Sequence, residues 1–444
     1  MKSDSKIMEP GSETSIDGNQ IEILERLGEG TQGVVYKVKV EERTYAMKWY
    51  HESHADEGQR DRLKDLADRG APSERFIWPK LFLEEEDRFG YLMDLCPPDF
   101  ISVGELLGTR VDTTFRALVR ACLQLVTEFR SLHSAGLCYG DISYNNVFLK
   151  PETGEIRIID NDNVVVNESG EAGVLGTPRF MAPEVVRSDA VPSKETDDFS
   201  LAVLIYYILL FEHPLHGERE YKIHAMDEPA MEQLYGEDPV FMFDPDDSSN
   251  RPVKGHHDTV MKFWEIYPSY LKRAFVQTFT EGLTDPSART SNRKWQDVLL
   301  RLHDNILYCP HCGISNFYDL EHIRSNSGQI GTCWHDDEDL VVPPRMKFDG
   351  ENRVLMLNHD SQIFDFHVDP SLNAQQHRFR FDNPVLEVSQ HPSKDLWGLK
   401  NLSDKGWRIH KADGTTESVP SGKTVALSSG LKIDFGRRSA VIRD

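Results

Sequence analysis

Three side chains define the chemistry this sequence could perform. The segment Cys138-Tyr139-Gly140-Asp141-Ile142-Ser143-Tyr144-Asn145-Asn146 carries a carboxylate and, five residues on, an amide; Asp160 follows fourteen residues after Asn146. Asp160 closes the run Ile156-Arg157-Ile158-Ile159, which alternates little and reads as a buried strand. Oxygen donors at this spacing fit phosphoryl transfer. One carboxylate would accept or orient a hydroxyl, while the amide and the second carboxylate would hold Mg2+ against the phosphates of a nucleotide.

Such a trio needs elements that bring a nucleotide to it. Upstream, Gly28-Glu29-Gly30-Thr31-Gln32-Gly33-Val34-Val35-Tyr36 lies between two strand-like runs, Gln20 to Leu27 and Val34 to Val40. Alone this would be an ordinary hairpin turn. The next feature discriminates: Tyr45-Ala46-Met47-Lys48-Trp49 is an alternating strand with one lysine, and a half-buried strand tolerates Lys only with an anionic partner. Downstream come Gly176-Thr177-Pro178-Arg179-Phe180-Met181-Ala182-Pro183-Glu184, then Thr196-Asp197-Asp198-Phe199 leading into an all-apolar helix, Val203 to Phe211, and finally Leu283 to Thr290 with Arg289. The apolar helix is too short for a bilayer, which takes about 20 residues, and belongs inside a domain.

In this order the features resemble the eukaryotic-like (Hanks-type) protein kinases over residues 20–305. They differ from small-molecule phosphotransferases, which usually lack the GTP…APE segment and the late Arg. The resemblance implies an α+β, bilobal fold with a small lobe at 20–94 and a large lobe at 97–305. It also implies a serine/threonine kinase using ATP and Mg2+ (or Mn2+) on a protein substrate. By resemblance Asp141 is the catalytic base, Asn146 and Asp160 hold Mg2+, and Lys48 grips the phosphates beneath the amides of Gly28, Gly30 and Gly33. Val35 and Ala46 cap the adenine with Phe148 beneath. Met93-Asp94-Leu95-Cys96 is the hinge, with Met93 as gatekeeper, and Arg289 pairs with Glu184.

The departures from that family carry expectations of their own. Tyr139-Gly140 replaces His-Arg, so the Arg that answers a phosphorylated activation loop is missing. Ser143 stands where a Lys is usual, while Thr177, which marks serine/threonine kinases, is kept. Asp160-Asn161-Asp162 replaces Asp-Phe-Gly and puts polar groups in a normally apolar column. In a helix over about Asp56 to Asp68, Glu57, Asp61 and Asp65 are all candidate partners of Lys48. A nucleotide-binding scaffold without catalysis is the alternative reading.

The chain has 444 residues, enough for two or three domains, and a net charge of -23 that excludes nonspecific binding to nucleic acid or anionic membrane. Residues 1–19 are polar and read as a disordered tail without an export signal, which places the protein in the cytoplasm with free thiols. Of six cysteines, Cys96, Cys122 and Cys138 read as packing groups. Cys309-Pro310-His311-Cys312-Gly313 and the later Cys333-Trp334-His335 have the spacing of a structural tetrahedral zinc site, with Cys309, Cys312, Cys333 and His335 as ligands and His311 and His322 as competitors for the last place. A redox dithiol is the alternative for the first pair. The acids of His335-Asp336-Asp337-Glu338-Asp339 read as solvated.

Residues 306–342 would then form a small zinc ribbon between the kinase region and a β-sandwich over 345–444, where short β-rich runs alternate with Asn, Asp, Gly and Ser. The stretches Trp397 to Ser403, Gly422 to Leu427 and Leu431 to Gly436 resemble the last strands of a forkhead-associated (FHA) module, without its phosphothreonine-grasping pattern. The whole arrangement resembles bacterial kinases that accompany a metal-dependent protein phosphatase and a von Willebrand A-type protein, which implies those partners.

Overall fold

Apolar residues on one face of successive strands build the small lobe. In the computed structural model, which describes residues 8–86, 88–108, 111–167, 176–374, 379–391, 393, 396–411 and 414–444, six strands form one antiparallel sheet. They are β1 (Glu13–Ile16), β2 (Asn19–Glu29), β3 (Gly33–Val40), β4 (Arg43–Tyr50), β5 (Leu81–Glu85) and β6 (Arg88–Met93), in the order β1-β2-β3-β4-β6-β5. Ile16, Ile21, Ile23, Val34, Tyr36, Val38, Met47 and Trp49 share its core. The expected disordered tail is therefore corrected from Glu13 onward. Ile16 is buried, and the Asp17-Gly18 turn, with φ of 51° and 77°, folds β1 back on β2. Residues 1–7 of that tail lie outside the described residues. Helix α1 (Glu57–Arg69) begins where the Asp56 side chain accepts from the Gln59 amide at 2.8 Å, and it buries Gln59, Leu63 and Leu66.

The large lobe is laid around α5 (Lys194–Leu210), buried at every residue from Thr196 onward, and α3 (Phe115–Ser134), with α2 (Val103–Gly108) and α4 (Pro183–Val186) at its cleft side. Short antiparallel pairs frame the cleft: β7 (Ile101–Ser102) on β9 (Val147–Leu149), β9 on β10 (Ile156–Ile158), and β8 (Leu137–Cys138) on β11 (Val165–Val166). Glu184 and Arg289 form a two-pronged ion pair at 2.8 and 2.7 Å, with the Arg289 side chain 1 % exposed. Arg289→Ala leaves that carboxylate without its cation and is expected to cost about 3–5 kcal/mol, read as a lowered urea midpoint.

Past the large lobe, β12 (Ile306–Tyr308) and β13 (Ser315–Phe317) make a hairpin that carries Cys309 and Cys312. Its Phe317 meets Phe115 of α3, and its cluster of Leu307, Cys309, Cys333 and Leu340 takes in Met356 from the next segment. Then follow β14 (Arg345–Phe348), β15 (Val354–Met356), β16 (Gln362–Phe364), β17 (Pro384–Gln390), β18 (Trp397–Asn401), β19 (Trp407–His410), β20 (Thr416–Val419), β21 (Thr424–Ala426), β22 (Lys432–Asp434) and β23 (Ser439–Arg443). They form two antiparallel sheets, β15-β14-β23-β22-β19-β20 and β16-β17-β18-β21, closed on a common core that includes Met346, Ile363, Leu399, Ile433 and Ile442. The whole is α+β.

The two-sheet unit is joined to the large lobe by a buried polar knot. Asp304 Oδ1 lies 3.1 Å from both His303 Nδ1 and His367 Nε2, and Arg353 reaches Asp304 Oδ2 at 3.4 Å. His303 Nε2 accepts from Arg120 at 3.3 Å, which needs a neutral ring, and burial pushes the His303 pKa down to about 3. A histidine so depressed binds its proton only after unfolding. Its contribution to stability is complete above about pH 6.5 and is lost as pH falls toward 3. Unfolding followed at pH 7 and pH 5 should therefore show lower stability at pH 5, with His303→Gln flattening the difference.

Candidate active site and metal centre

The loop after β8 is held from below by an acid at the start of α5. Asp197 accepts backbone N–H bonds from Tyr139 at 2.7 Å and Gly140 at 3.0 Å, and His133 Nε2 lies 2.9 Å from the same carboxylate. The buried Tyr139 hydroxyl donates to the Ile159 carbonyl, tying this loop to the strand that ends at Asp160. Within the loop, Asn146 Nδ2 donates to the Asp141 carbonyl at 2.9 Å, and the Thr177 hydroxyl donates to Asp141 Oδ1 at 2.9 Å. Burial raises the Asp141 pKa, and the bonds from Thr177 and Asn146 oppose the rise. Gly176 at φ 92° lets the segment carrying Thr177 pass: a Cβ there would sit 2.8 Å from the Gly140 carbonyl.

Asp160 adopts left-handed backbone angles, φ 58° and ψ 46°, a conformation Asp tolerates better than bulkier residues. Its Oδ1 lies 2.7 Å from Lys48 Nζ, and Asp162 Oδ2 lies 2.6 Å from the same ammonium. Burial alone would lower the Lys48 pKa; the charges of Asp162 and Asp160 outweigh it and hold the lysine above its ordinary value. Lys48 also donates to Gln32 Oε1 at 3.0 Å, and Gln32 Nε2 donates to Asn163 Oδ1 at 3.2 Å, so the tip of the β2–β3 hairpin leans over the lysine. None of the expected acids of α1 reaches Lys48. Glu57 and Asp61 are exposed, and Asp65 pairs with Arg69 at 2.6 Å. Gln59 is the buried polar residue of that helix and bonds the Tyr50 hydroxyl at 2.9 Å. Asn161, where an apolar ring was the family expectation, is buried and donates through Nδ2 to the Ile77 and Ile158 carbonyls.

The nucleotide-side residues come together around β4 and β6. Ala46 pairs with Met93 across the two strands, and both share an apolar cluster with Val35, Leu95, Cys96 and Ile159. Asp94 turns outward and pairs with Lys80 at 2.7 Å. Phe148 is half-buried on β9, opposite Arg157. Gly33 admits no side chain, since a Cβ would lie 2.3 Å from the Trp49 carbonyl; Gly28 and Gly30 face open space. A carboxylate and an amide are a donor set suited to Mg2+. Burial and the Asp162 charge push the Asp160 pKa up to about 6, which marks a carboxylate that the protein's own cations only partly compensate.

The second cluster differs from expectation in one member. The Sγ atoms of Cys309, Cys312 and Cys333 and a carboxylate oxygen of Asp336 lie within 4.8 Å of one another. Cys312 and Cys333 sulfurs are 3.7 Å apart, matching the edge of about 3.8 Å of a tetrahedron with Zn–S bonds of about 2.3 Å. His335 is outside the cluster: its backbone N–H points to Cys333 Sγ at 3.5 Å, while its exposed ring turns away beside Trp334. Asp336 takes its place, oriented by His311 Nδ1 at 2.8 Å. The assignment of that acid to solvent is thereby overturned.

Sequence reasoning assigned no role to Gln59, Tyr50, Gln32, Asp197 and Asp336, and the polar Asp162 it marked was not paired with Lys48, although Asp197 opens a buried helix and Asp336 follows a cysteine by three residues. A family model described as protein kinase domain matches residues 21–283. Curated relatives include a probable serine/threonine-protein kinase CCRP1 of Zea mays, 31% identical over 30% of this chain and 21% of its own length. Protein kinase C-like 2 of Schizosaccharomyces pombe is 30% identical over 33% and 14%, and protein kinase C delta type of Mus musculus 31% identical over 28% and 19%. The chain thus spans about a fifth or less of the length of these three relatives. With the family model covering more than half of the chain and the cleft carrying Lys48, Asp141, Asn146 and Asp160, the chain belongs to the protein kinase family.

Proposed function

We propose that this chain is a serine/threonine protein kinase that transfers the γ-phosphate of MgATP to protein hydroxyls. The observation that carries the reading is the bond between Thr177 and Asp141 beside Asn146, in the same cleft as Lys48 and Asp160. Asp141 accepts or orients the attacking hydroxyl, and Thr177 holds the carboxylate at the angle that leaves its other oxygen for the substrate. Lys48 positions the α- and β-phosphates under the backbone of Gly28 to Gly33. Val35, Ala46, Met93 and Phe148 enclose the adenine, with the backbone from Asp94 to Cys96 reading its edge. Asn146 and Asp160 would hold Mg2+ or Mn2+, which when bound neutralises charge on the phosphate oxygens. The relatives named as serine/threonine kinases support the acceptor class.

The same reading assigns structural zinc to Cys309, Cys312, Cys333 and Asp336 within a ribbon over 306–342, and an FHA-like fold to 345–444. It places the protein in the bacterial cytoplasm, beside a metal-dependent phosphatase and a von Willebrand A-type protein; the support is the order of modules along the chain. No helix among the described residues is long and apolar enough to cross a membrane. The test is incorporation of labelled γ-phosphate into the purified chain and a generic protein acceptor with Mg2+ or Mn2+. Incorporation abolished by Asp141→Asn supports the kinase reading. ATP bound without incorporation would instead favour a nucleotide-binding scaffold.

A further inference from the structure

We infer that Asp162 is the positioning carboxylate of Lys48, doing from the metal-site loop what an acid of α1 would otherwise do; the inference rests on the kinase reading above. A lysine 8 % exposed needs an anionic partner that stays in place while substrates come and go. Asp160 cannot be that partner throughout the cycle. Its side chain is 31 % exposed, and a divalent cation held there would compete for its oxygens. Asp162 is fully buried and pairs with the same ammonium. It is also braced on the far side: the Tyr50 hydroxyl donates to Asp162 Oδ2, and Gln59 Nε2 donates both to that hydroxyl at 2.9 Å and to the Asp162 carbonyl at 3.1 Å.

This arrangement explains why α1 presents an amide. Two carboxylates already surround one ammonium, and a third from the helix would add uncompensated negative charge to a buried site. A neutral donor at position 59 suits the pocket, because both of its bonds go to oxygens. The helix and the loop have exchanged charge. Among the described residues, hydrogen bonds link helix α1 to Lys48 through the Gln59–Tyr50–Asp162 chain.

The exchange can be reversed. Asp162→Gly is expected to lower kcat/KM for ATP by about 10²-fold, and Gln59→Glu to lower it by about tenfold through repulsion of Asp162. Gln59→Glu combined with Asp162→Gly should recover about tenfold or more over Asp162→Gly alone, since the helix acid then faces an unpaired lysine. Asp162→Asn, which keeps shape and removes charge, should fall with Asp162→Gly, and thermal unfolding identifies any variant that has merely lost its fold. A double variant as slow as Asp162→Gly, or an Asp162→Asn chain at wild-type rate, overturns the inference. A wild-type chain that transfers nothing overturns the kinase reading alone, and the same cycle in MgATP affinity by calorimetry then decides the role of Asp162: recovery in the double variant upholds it and the absence of recovery refutes it.

Discussion

Asp141→Asn is expected to lower phosphoryl transfer by about 10²- to 10⁴-fold while MgATP affinity stays within about twofold. The substitution is nearly isosteric, and the bond from Thr177 at 2.9 Å can still be accepted by the amide oxygen. What disappears is the basic oxygen facing the hydroxyl. Lys48, the glycine hairpin and the apolar cluster around Met93 lie on the other lobe and are untouched, so binding and chemistry separate. Equal turnover in mutant and wild type would remove Asp141 from the mechanism. A parallel loss of affinity would show instead that the variant had disturbed the loop held by Asp197.

The second large effect concerns the cysteine cluster. On the proposed zinc assignment, Cys312→Ser should release one equivalent of zinc and lower the unfolding temperature of the C-terminal third; structural zinc in comparable small modules contributes about 10–16 kcal/mol. The four-ligand assignment sharpens the expectation. Asp336→Ala should lose zinc or hold it far more weakly, His335→Ala should keep it, and His311→Ala, which removes only the group orienting Asp336, should weaken affinity by about 10- to 100-fold. Metal content by mass spectrometry and chelator competition read all of these. Zinc retained in Cys312→Ser, or lost in His335→Ala, would return the ligand set to question.

What the sequence disclosed and what it hid follow from locality. Asp141, Asn146 and Asp160 are fixed by spacing along short segments, and Lys48 stands out as a charge inside an apolar strand, so the grouping of the candidate site was legible. The partner of Lys48 was not. The expectation looked for an acid on α1, whereas the acid is Asp162, whose proximity depends on how the loop after Asp160 turns. Gln59 gave no signal because an amide on a polar helix looks like surface. Asp336 was hidden by its neighbours: in a run of four acids only the chain's turn after Cys333 distinguishes the one aimed at the sulfurs. The large lobe was easier, since α5 from Leu201 onward is apolar on every side and can sit only at a centre.

The short strand β1 has a practical consequence for anyone dividing this chain. It is the outer member of the small-lobe sheet, with Ser15 paired to Gln20 and Glu13 to Glu22, and its turn is pinned where Asp17 accepts from the Glu84 amide at 2.6 Å. A fragment begun at Gln20, the boundary that apolar patterning favours, would strip that cover from the start of β2 and bare its backbone groups from Gln20 to Ile23. Such an edge is a template for another copy of itself. The fragment would fail by self-association in the test tube even with every catalytic residue present, whereas one begun before Glu13 would keep its edge closed.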